Sequence, residues 1–302
     1  MANATKTFVQ FGAGNIGRSF IGRLFAEAGY RVVFIDVDSR LVSLLNERRS
    51  YPVVVKQNDR PDQVRLIGGV SAIDGRDREA VIDVLTQADG MATSVGQRGL
   101  QAVLPLLAAA LELRAANNAP PLDLIIAENL RSGAAWFRQN LGPLLPEGFD
   151  LDSRLGLVET SIGKMVPIMP QDALNEDPLQ LFAEPYDTLI VDRLGFRREV
   201  PALAGLKPVN NIAAWVDRKL FLHNMSHAAL AYLGYQANPA LTYCWQAMEL
   251  PAVVDAVRAA LLQSAAALNR AYPDDLSQEE LAAHADDLLN RYRNRALGDT
   301  LH

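Results

Sequence analysis

The densest chemistry in the chain lies in one stretch, W-V-D-R-K-L-F-L-H-N-M-S-H, from Trp215 to His227. With Lys219 at zero on a helical wheel of about 100° per residue, His223 falls near ~40°, His227 near ~80° and Asn224 near ~140°. Four groups able to donate, accept or move a proton therefore share one arc. Leu220, Phe221, Leu222 and Met225 flank them, so the arc is expected to be partly buried. Burial disfavours the charged form of a lysine, which makes Lys219 a candidate base near neutral pH. Taken singly, a helical lysine is usually a solvated charge and a lone histidine a structural hydrogen-bonder. It is the clustering that makes them candidates.

Competing chemistries lack their residues. The single cysteine, Cys244, rules out a disulfide within the chain and any C-x-x-C site. The four histidines, at 223, 227, 284 and 302, show no H-E-x-x-H spacing. No tyrosine has a lysine four residues later, and there is no G-x-S-x-G elbow or P-loop. A metal-free hydride-transfer site with a lysine base survives, and no metal is expected.

Hydride transfer needs a dinucleotide, and the N-terminus offers a cradle. Gly12-Ala13-Gly14-Asn15-Ile16-Gly17 follows a predicted strand at 7–11 and opens a predicted helix at 18–29. In such a loop the first glycine makes the tight turn, the second admits the pyrophosphate and the third lets helix and strand pack. Asp36 ends the next predicted strand, 31–35, at about the 20-residue distance of a ribose-binding acid. A carboxylate there accepts from a ribose 2′-OH and repels a 2′-phosphate. Arg40 is the only nearby cation, so NAD is expected. Thr93-Ser94-Val95-Gly96 reads equally as a second cofactor loop, through Val95 and Gly96, or as an ordinary βα turn.

The β-turn-α-β order predicts a doubly wound, Rossmann-type α/β domain over 1–205. Further strands are expected at 52–56 and 63–67 as a hairpin or edge insertion, and at 122–127, 154–158 and 187–191. Helices are expected at 78–87 and 98–113. In the first helix Arg18, Arg23 and Glu27 read as its outward residues. From 206 to 302 the texture becomes Ala/Leu-rich, with helices at 210–233, 240–268 and 277–296, an all-α domain. No run reads as long and apolar enough to span a bilayer. The best, Ala102 to Leu111, contains Pro105. The start M-A-N-A-T-K does not read as a signal peptide. A net charge of -6 over 302 residues argues against nucleic acid. One thiol fits the cytoplasm.

These residues resemble a known family. The opening F-G-A-G-N-I-G-R-S-F-I-G, the strand end A-E-N and K-L-F-L-H-N-M-S-H are similar to the polyol-specific long-chain dehydrogenases over essentially the whole chain. K-x-x-x-x-N-x-x-H is the specific motif. The resemblance implies a helical C-terminal architecture like that of 6-phosphogluconate dehydrogenase. It also implies NAD-dependent, metal-free oxidation of a polyol to a ketose. For the branch that fits best, the pair is mannitol 1-phosphate and fructose 6-phosphate. It makes Lys219 the general base, Asn129 and Asn224 the amides that hold the developing alkoxide, and His227 the residue that orients substrate oxygen. His223 receives no role. It implies a monomer or weak homo-oligomer with a small-molecule polyol or sugar-phosphate substrate.

Two departures stand out. Where mannitol dehydrogenases of the family carry an acid before a base, this chain has Gly163 and Lys164, and Glu159 or Asp152 is a possible replacement. Family members also continue past A-L-G-D-T-L-H, so the resemblance implies a shortened C-terminus, with part of the substrate lid and phosphate contacts beyond it. Arg131 and Lys164 are the candidate phosphate cations. The alternatives are a mannitol 2-dehydrogenase, a hexuronate (altronate or mannonate) oxidoreductase, a β-hydroxyacid or ketopantoate-type reductase, and a dinucleotide-binding sensor without turnover. The spacing of Asn five and His eight residues after Lys favours the polyol pattern.

Overall fold

The structure, a computed structural model, describes residues 5–301. Strand β1 (Thr7–Phe11) is buried throughout and turns through the glycine loop into a helix. The stretch Gly17–Gly22 of that helix is π-helical, and α1 (Arg23–Glu27) continues it. Then follow β2 (Arg31–Asp36), α2 (Ser39–Arg48), β3 (Ser50–Val55), β4 (Gln63–Gly68) and β5 (Val70–Asp74). The chain continues through α3 (Arg78–Gln87), β6 (Gly90–Thr93), α4 (Gly96–Ala116), β7 (Leu122–Ile126), α5 (Gly133–Leu141) and α6 (Leu151–Arg154). Next come β8 (Leu155–Ile162), α7 (Gln171–Glu176), β9 (Leu181–Ala183), β10 (Leu189–Asp192) and β11 (Leu206–Val209).

Eight strands form one sheet in the order β11-β10-β8-β7-β6-β1-β2-β5, all pairs parallel except β10 with β8. Near-continuous apolar strands suit this sheet because both its faces are covered. Val9, Phe11, Val33 and Ile35 point to one core with α3 and α4. Phe8, Val32 and Phe34 point to the other, where β4-β3-β9 forms a small second sheet. The predicted hairpin is therefore real but three-stranded, completed by β9, which lies far along the chain.

Two expectations for the first helix fail. Arg18 and Arg23 are buried, at 5% and 2% exposure, not outward. The small sheet covers that face. Arg18 donates to the carbonyls of Ala13 and Leu179, and Arg23 pairs with Asp187 at 2.5 Å. Glu27 is exposed as expected.

Segment 206–209 pairs in parallel with β10, so the sheet continues past 205 and the helices start at Ile212. They are α8 (Ile212–Arg218), a second π-helical turn (Lys219–Asn224), α9 (Met225–Ala237), α10 (Cys244–Ala247), α11 (Pro251–Ala271) and α12 (Gln278–Arg291). The expected helix at 240–268 is broken because Pro251 has no N–H to continue an earlier turn, and it instead begins α11. The membrane expectation also needs correction. Gly96–Ala116 and Pro251–Ala271, each 21 residues, are long and apolar enough by length and composition. Here α4 packs on the sheet and tolerates Pro105, and α11 buries Val257, Leu261 and Ala265 in the helical core.

The lobes are joined by a buried ion pair. Arg291 of α12 meets Glu184, just after β9, at 2.5 Å, with side chains 9% and 2% exposed. Glu184 also accepts from the Met165 N–H, and Arg291 donates to the Gly163 carbonyl.

Candidate active site

The sheet reverses its winding between β1 and β6, and doubly wound folds bind ligands at the carboxyl ends of strands beside such a switch point. The glycine loop lies there. Gly12 has φ +87°, and a Cβ on it would meet the Ser94 carbonyl oxygen at 2.5 Å. A Cβ on Gly17 would stand 2.0 Å from the Gly12 oxygen. At Gly14 nothing lies within 4 Å, so the backbone there is open to a ligand. The loop thus closes on itself at its first and third glycines and opens at its second, the division that a bound pyrophosphate requires. Asp36 accepts from the Ala13 N–H at 2.7 Å and the Asp38 N–H at 3.0 Å, which fixes its carboxylate beside the loop. Asn15 donates to the Pro167 carbonyl at 3.3 Å.

The 93–96 loop packs against Gly12, but its free amides are taken. Val95 and Gly96 donate to the two oxygens of Glu128 at 2.8 and 3.0 Å. Burial pushes the Glu128 carboxyl up, and those same amides oppose the shift. Glu128 was not singled out in the sequence. An acid directly before the expected amide Asn129, at the end of a buried strand, was the available signal.

Cavities flank the loop on both sides. One of about 560 Å³ is lined by Asn15, Asp38, Arg40 and Leu41, among others. The other, of about 480 Å³, runs between the lobes, with Ile16, Asn129, Arg131, Ser161, Lys164 and Lys219 in its wall. A larger cavity, about 620 Å³, opens at the opposite, amino edge of the sheet near Lys6, Tyr30 and Asp123. It is remote from the glycine loop and from Lys219.

In the cavity between the lobes, Lys219 Nζ donates to Asn129 Oδ1 at 3.3 Å. The residues are 90 apart in sequence and come from different lobes. Lys219 is half-buried, and desolvation lowers its pKa. The wheel drawn for an ideal α-helix does not apply here. Lys219–Asn224 winds with i→i+5 bonds, so Asn224 comes round towards the side of Lys219 instead of lying ~140° away. His223 is turned inward. It is buried at 7% exposure, its Nδ1 has no hydrogen-bond partner among the described residues, and desolvation, followed by the charge of Arg291, pushes its pKa down to about 2. A Cβ on Gly163 would lie 3.6 Å from that Nδ1, at ordinary van der Waals distance, so Gly163 sits against the imidazole. Asn224 and His227 lie further along the helix than the cavity wall. His227 Nε2 is 2.8 Å from Asp299 Oδ2, and its ring stacks on Tyr292.

Both family-model regions match the chain: a mannitol dehydrogenase Rossmann domain over residues 6–205 and a mannitol dehydrogenase C-terminal domain over 211–302. The chain belongs to the mannitol dehydrogenase family. It is similar to the mannitol-1-phosphate 5-dehydrogenase of Brevibacillus brevis, 34% identical over 97% of this chain and 74% of that one. The enzyme of the same name from Bacillus subtilis is 33% identical over 96% of this chain and 76% of its own length. Among solved structures, Pseudomonas fluorescens mannitol 2-dehydrogenase in ternary complex with NAD and D-mannitol superposes with a TM-score of 0.75. It is 17% identical, over 99% of this chain and 71% of that one. A substrate-free D-sorbitol dehydrogenase gives 0.82 at 17% identity, covering 98% and 72%. Those two share the fold.

Three sequence-based candidates are engaged elsewhere. Lys164 is buried, and its ammonium donates to the carbonyls of Glu184 and Tyr186 and to Asp187, so it is not free for a phosphate. Glu159 accepts from the Ala134 N–H at 2.9 Å, and exposed Asp152 pairs with Arg138, so neither replaces an acid at Gly163. Arg131 does face the cavity, two-thirds exposed, held by Asp217 at 2.9 Å.

Proposed function

We propose that this chain is an NAD-dependent oxidoreductase that interconverts mannitol 1-phosphate and fructose 6-phosphate, with Lys219 as general base and no metal. The observation that carries the reading is the Lys219–Asn129 contact, an amine and an amide from two lobes meeting beside the dinucleotide cradle. The names of the two bacterial relatives support the substrate pair, and the ligand of the Pseudomonas structure supports NAD.

A bound nicotinamide supplies the hydride acceptor. Asp36, with its carboxylate beside the open Gly14 backbone, is the residue to receive a ribose hydroxyl. The neutral Lys219 amine takes the substrate hydroxyl proton, and its lowered pKa keeps a larger fraction neutral than a solvated lysine would have. As negative charge gathers on that oxygen, the side-chain amides of Asn129 and Asn224 donate to it. Asn129 Oδ1 accepts from Lys219, which leaves its NH₂ group to face substrate. His227 holds a neighbouring hydroxyl, and Arg131 at the cavity mouth receives the phosphate. A protein with one buried thiol suits a cytoplasmic setting.

The test is NADH formation with mannitol 1-phosphate, mannitol and altronate side by side. The reading requires turnover of the phosphorylated polyol well above the other two. It also requires kcat/KM for oxidation to rise with pH and level off below the ordinary lysine pKa. Equal rates for mannitol and its phosphate would defeat the substrate assignment.

A further inference from the structure

We infer that Asp299 is a positioning residue for the polyol site. It fixes the tautomer and orientation of His227 so that the ring's Nδ1 is presented to a substrate hydroxyl. The inference rests on the reading of His227 as the residue that orients substrate.

Asp299 Oδ2 lies 2.8 Å from His227 Nε2, with both side chains about one-third exposed or less. A carboxylate can only accept, so Nε2 carries the hydrogen and a neutral ring offers Nδ1 as its acceptor. A second contact holds the plane of the ring. It stacks on Tyr292 with centroids 5.2 Å apart and planes 8° from parallel. Tyr292 is itself held, donating to the His223 carbonyl at 3.0 Å and meeting Ser226 Oγ at 2.8 Å.

Asp299 is equally fixed from its own side. The Cys244 N–H donates to the Asp299 carbonyl at 3.0 Å, the Leu301 N–H to Thr242 at 2.9 Å, and Tyr243 bridges Thr300 in antiparallel fashion. Segment 299–301 is therefore strapped along 242–244, and the strap delivers one carboxylate to the ring. Cys244 Sγ lies 3.4 Å from the same Nε2, and the three ligand atoms of His227, Cys244 and Asp299 fall within 4.8 Å of one another. Hydrogen bonding explains this cluster better than a metal. Ligands on a tetrahedral zinc with bonds of about 2.0–2.2 Å stand roughly 3.3 Å apart, wider than the His–Asp distance. The thiol also donates to the Thr300 carbonyl.

The test compares Asp299→Asn, Asp299→Ala and His227→Gln in the intact chain. Its readouts are KM and kcat for fructose 6-phosphate, NADH affinity by fluorescence, and the His227 tautomer by nitrogen-15 NMR. Asparagine can donate its amide to Nε2 and force the opposite tautomer with little change of shape. We expect KM for fructose 6-phosphate to rise about 10- to 100-fold, the range known for metal-bound histidines that lose an orienting partner, with NADH affinity unchanged and the nitrogen-15 shifts exchanged. The Asp299→Asn change should add nothing further in a His227→Gln background. A wild-type KM and tautomer in Asp299→Asn, beside an impaired His227→Gln, would overturn this inference and leave the function standing. An unimpaired His227→Gln would remove both the role of His227 and this proposal. A thiolate-to-cobalt absorption band on adding stoichiometric Co²⁺, lost in Cys244→Ser, would make the cluster a metal site instead.

Discussion

The described residues include two six-residue π-helical turns, and they serve opposite ends. In Gly17–Gly22 all six residues are buried, and the turn works by closeness. Gly17 lies over the Gly12 carbonyl, and a Cβ on Gly22 would meet Phe34 at 2.5 Å. In Lys219–Asn224 only Leu222 and His223 are buried, and the turn works by aim. It carries Lys219 to the cavity wall and turns His223 into the interior. The same departure from α geometry thus lets backbone pack in one lobe and points side chains in the other. Widened turns of this kind are rare and tend to sit at functional sites.

Perturbing each turn should therefore fail differently. The largest effect belongs to Lys219→Met, which should lower turnover by about 10²- to 10⁴-fold while NADH still binds with wild-type affinity. Stopped-flow hydride transfer and a fluorescence titration separate the two. Asn129→Ala, its partner across the cavity, should cost about 10²–10³ in kcat, again without loss of cofactor. If either variant loses NADH binding in step with turnover, the division between packing turn and aiming turn fails.

Gly22→Ala should do the reverse. Its Cβ would press on the Phe34 ring and stand 2.8 Å from the Gly17 carbonyl oxygen, so overpacking of about 1–3 kcal/mol is expected. A urea titration would read it as a lower midpoint at unchanged slope. The residual folded enzyme should keep its kcat.

The smallest effect is graded with pH and isolates the buried histidine of the aiming turn. His223 is held down to about 2 and His284 to about 3, so both stay neutral in the fold through mild acid. Their unfolded counterparts bind protons below about 6.5. The unfolded state then holds more protons, and stability falls as pH drops from about 6.5 towards the folded values. Each such proton adds a slope of roughly 1.4 kcal/mol per pH unit once the unfolded histidine is fully charged. His223→Asn should flatten the decline of denaturation midpoint between pH 6 and 4, with His284 left to supply the remainder. An unchanged slope would mean that this histidine is not held neutral.

The nucleotide lobe was largely legible because its signals are local. The apolar run at 31–35, the three glycines and the acid at 36 each act within a few residues of themselves, and β1 and α3 begin and end where the pattern places them. What the sequence hid is set by distant partners. Arg18 and Arg23 look like surface cations until the small sheet, closed by β9, covers them. Lys164 looks free until Glu184, Tyr186 and Asp187 surround it. In the candidate site Lys219 and Asn129 were identifiable, but the angular relation of Lys219, His223 and Asn224 was misphased. A 100° wheel assumes α winding, and only the five-residue Lys-to-Asn spacing hinted otherwise. Asp299 carried no motif, since its meaning comes from the strap that folds it back on His227.

Arg291 and Glu184 bear on how the molecule comes apart. Removing one partner of a buried pair strands the other charge, at a cost of about 3–5 kcal/mol, and this pair joins the end of the last long helix to the nucleotide lobe. Asn294 adds a bond to the Lys56 carbonyl, and Asn58 a bond to that of Arg293. Neither half can loosen without tearing these stitches, so on heating the two should melt in a single calorimetric peak, and severing the ion pair should split that peak in two.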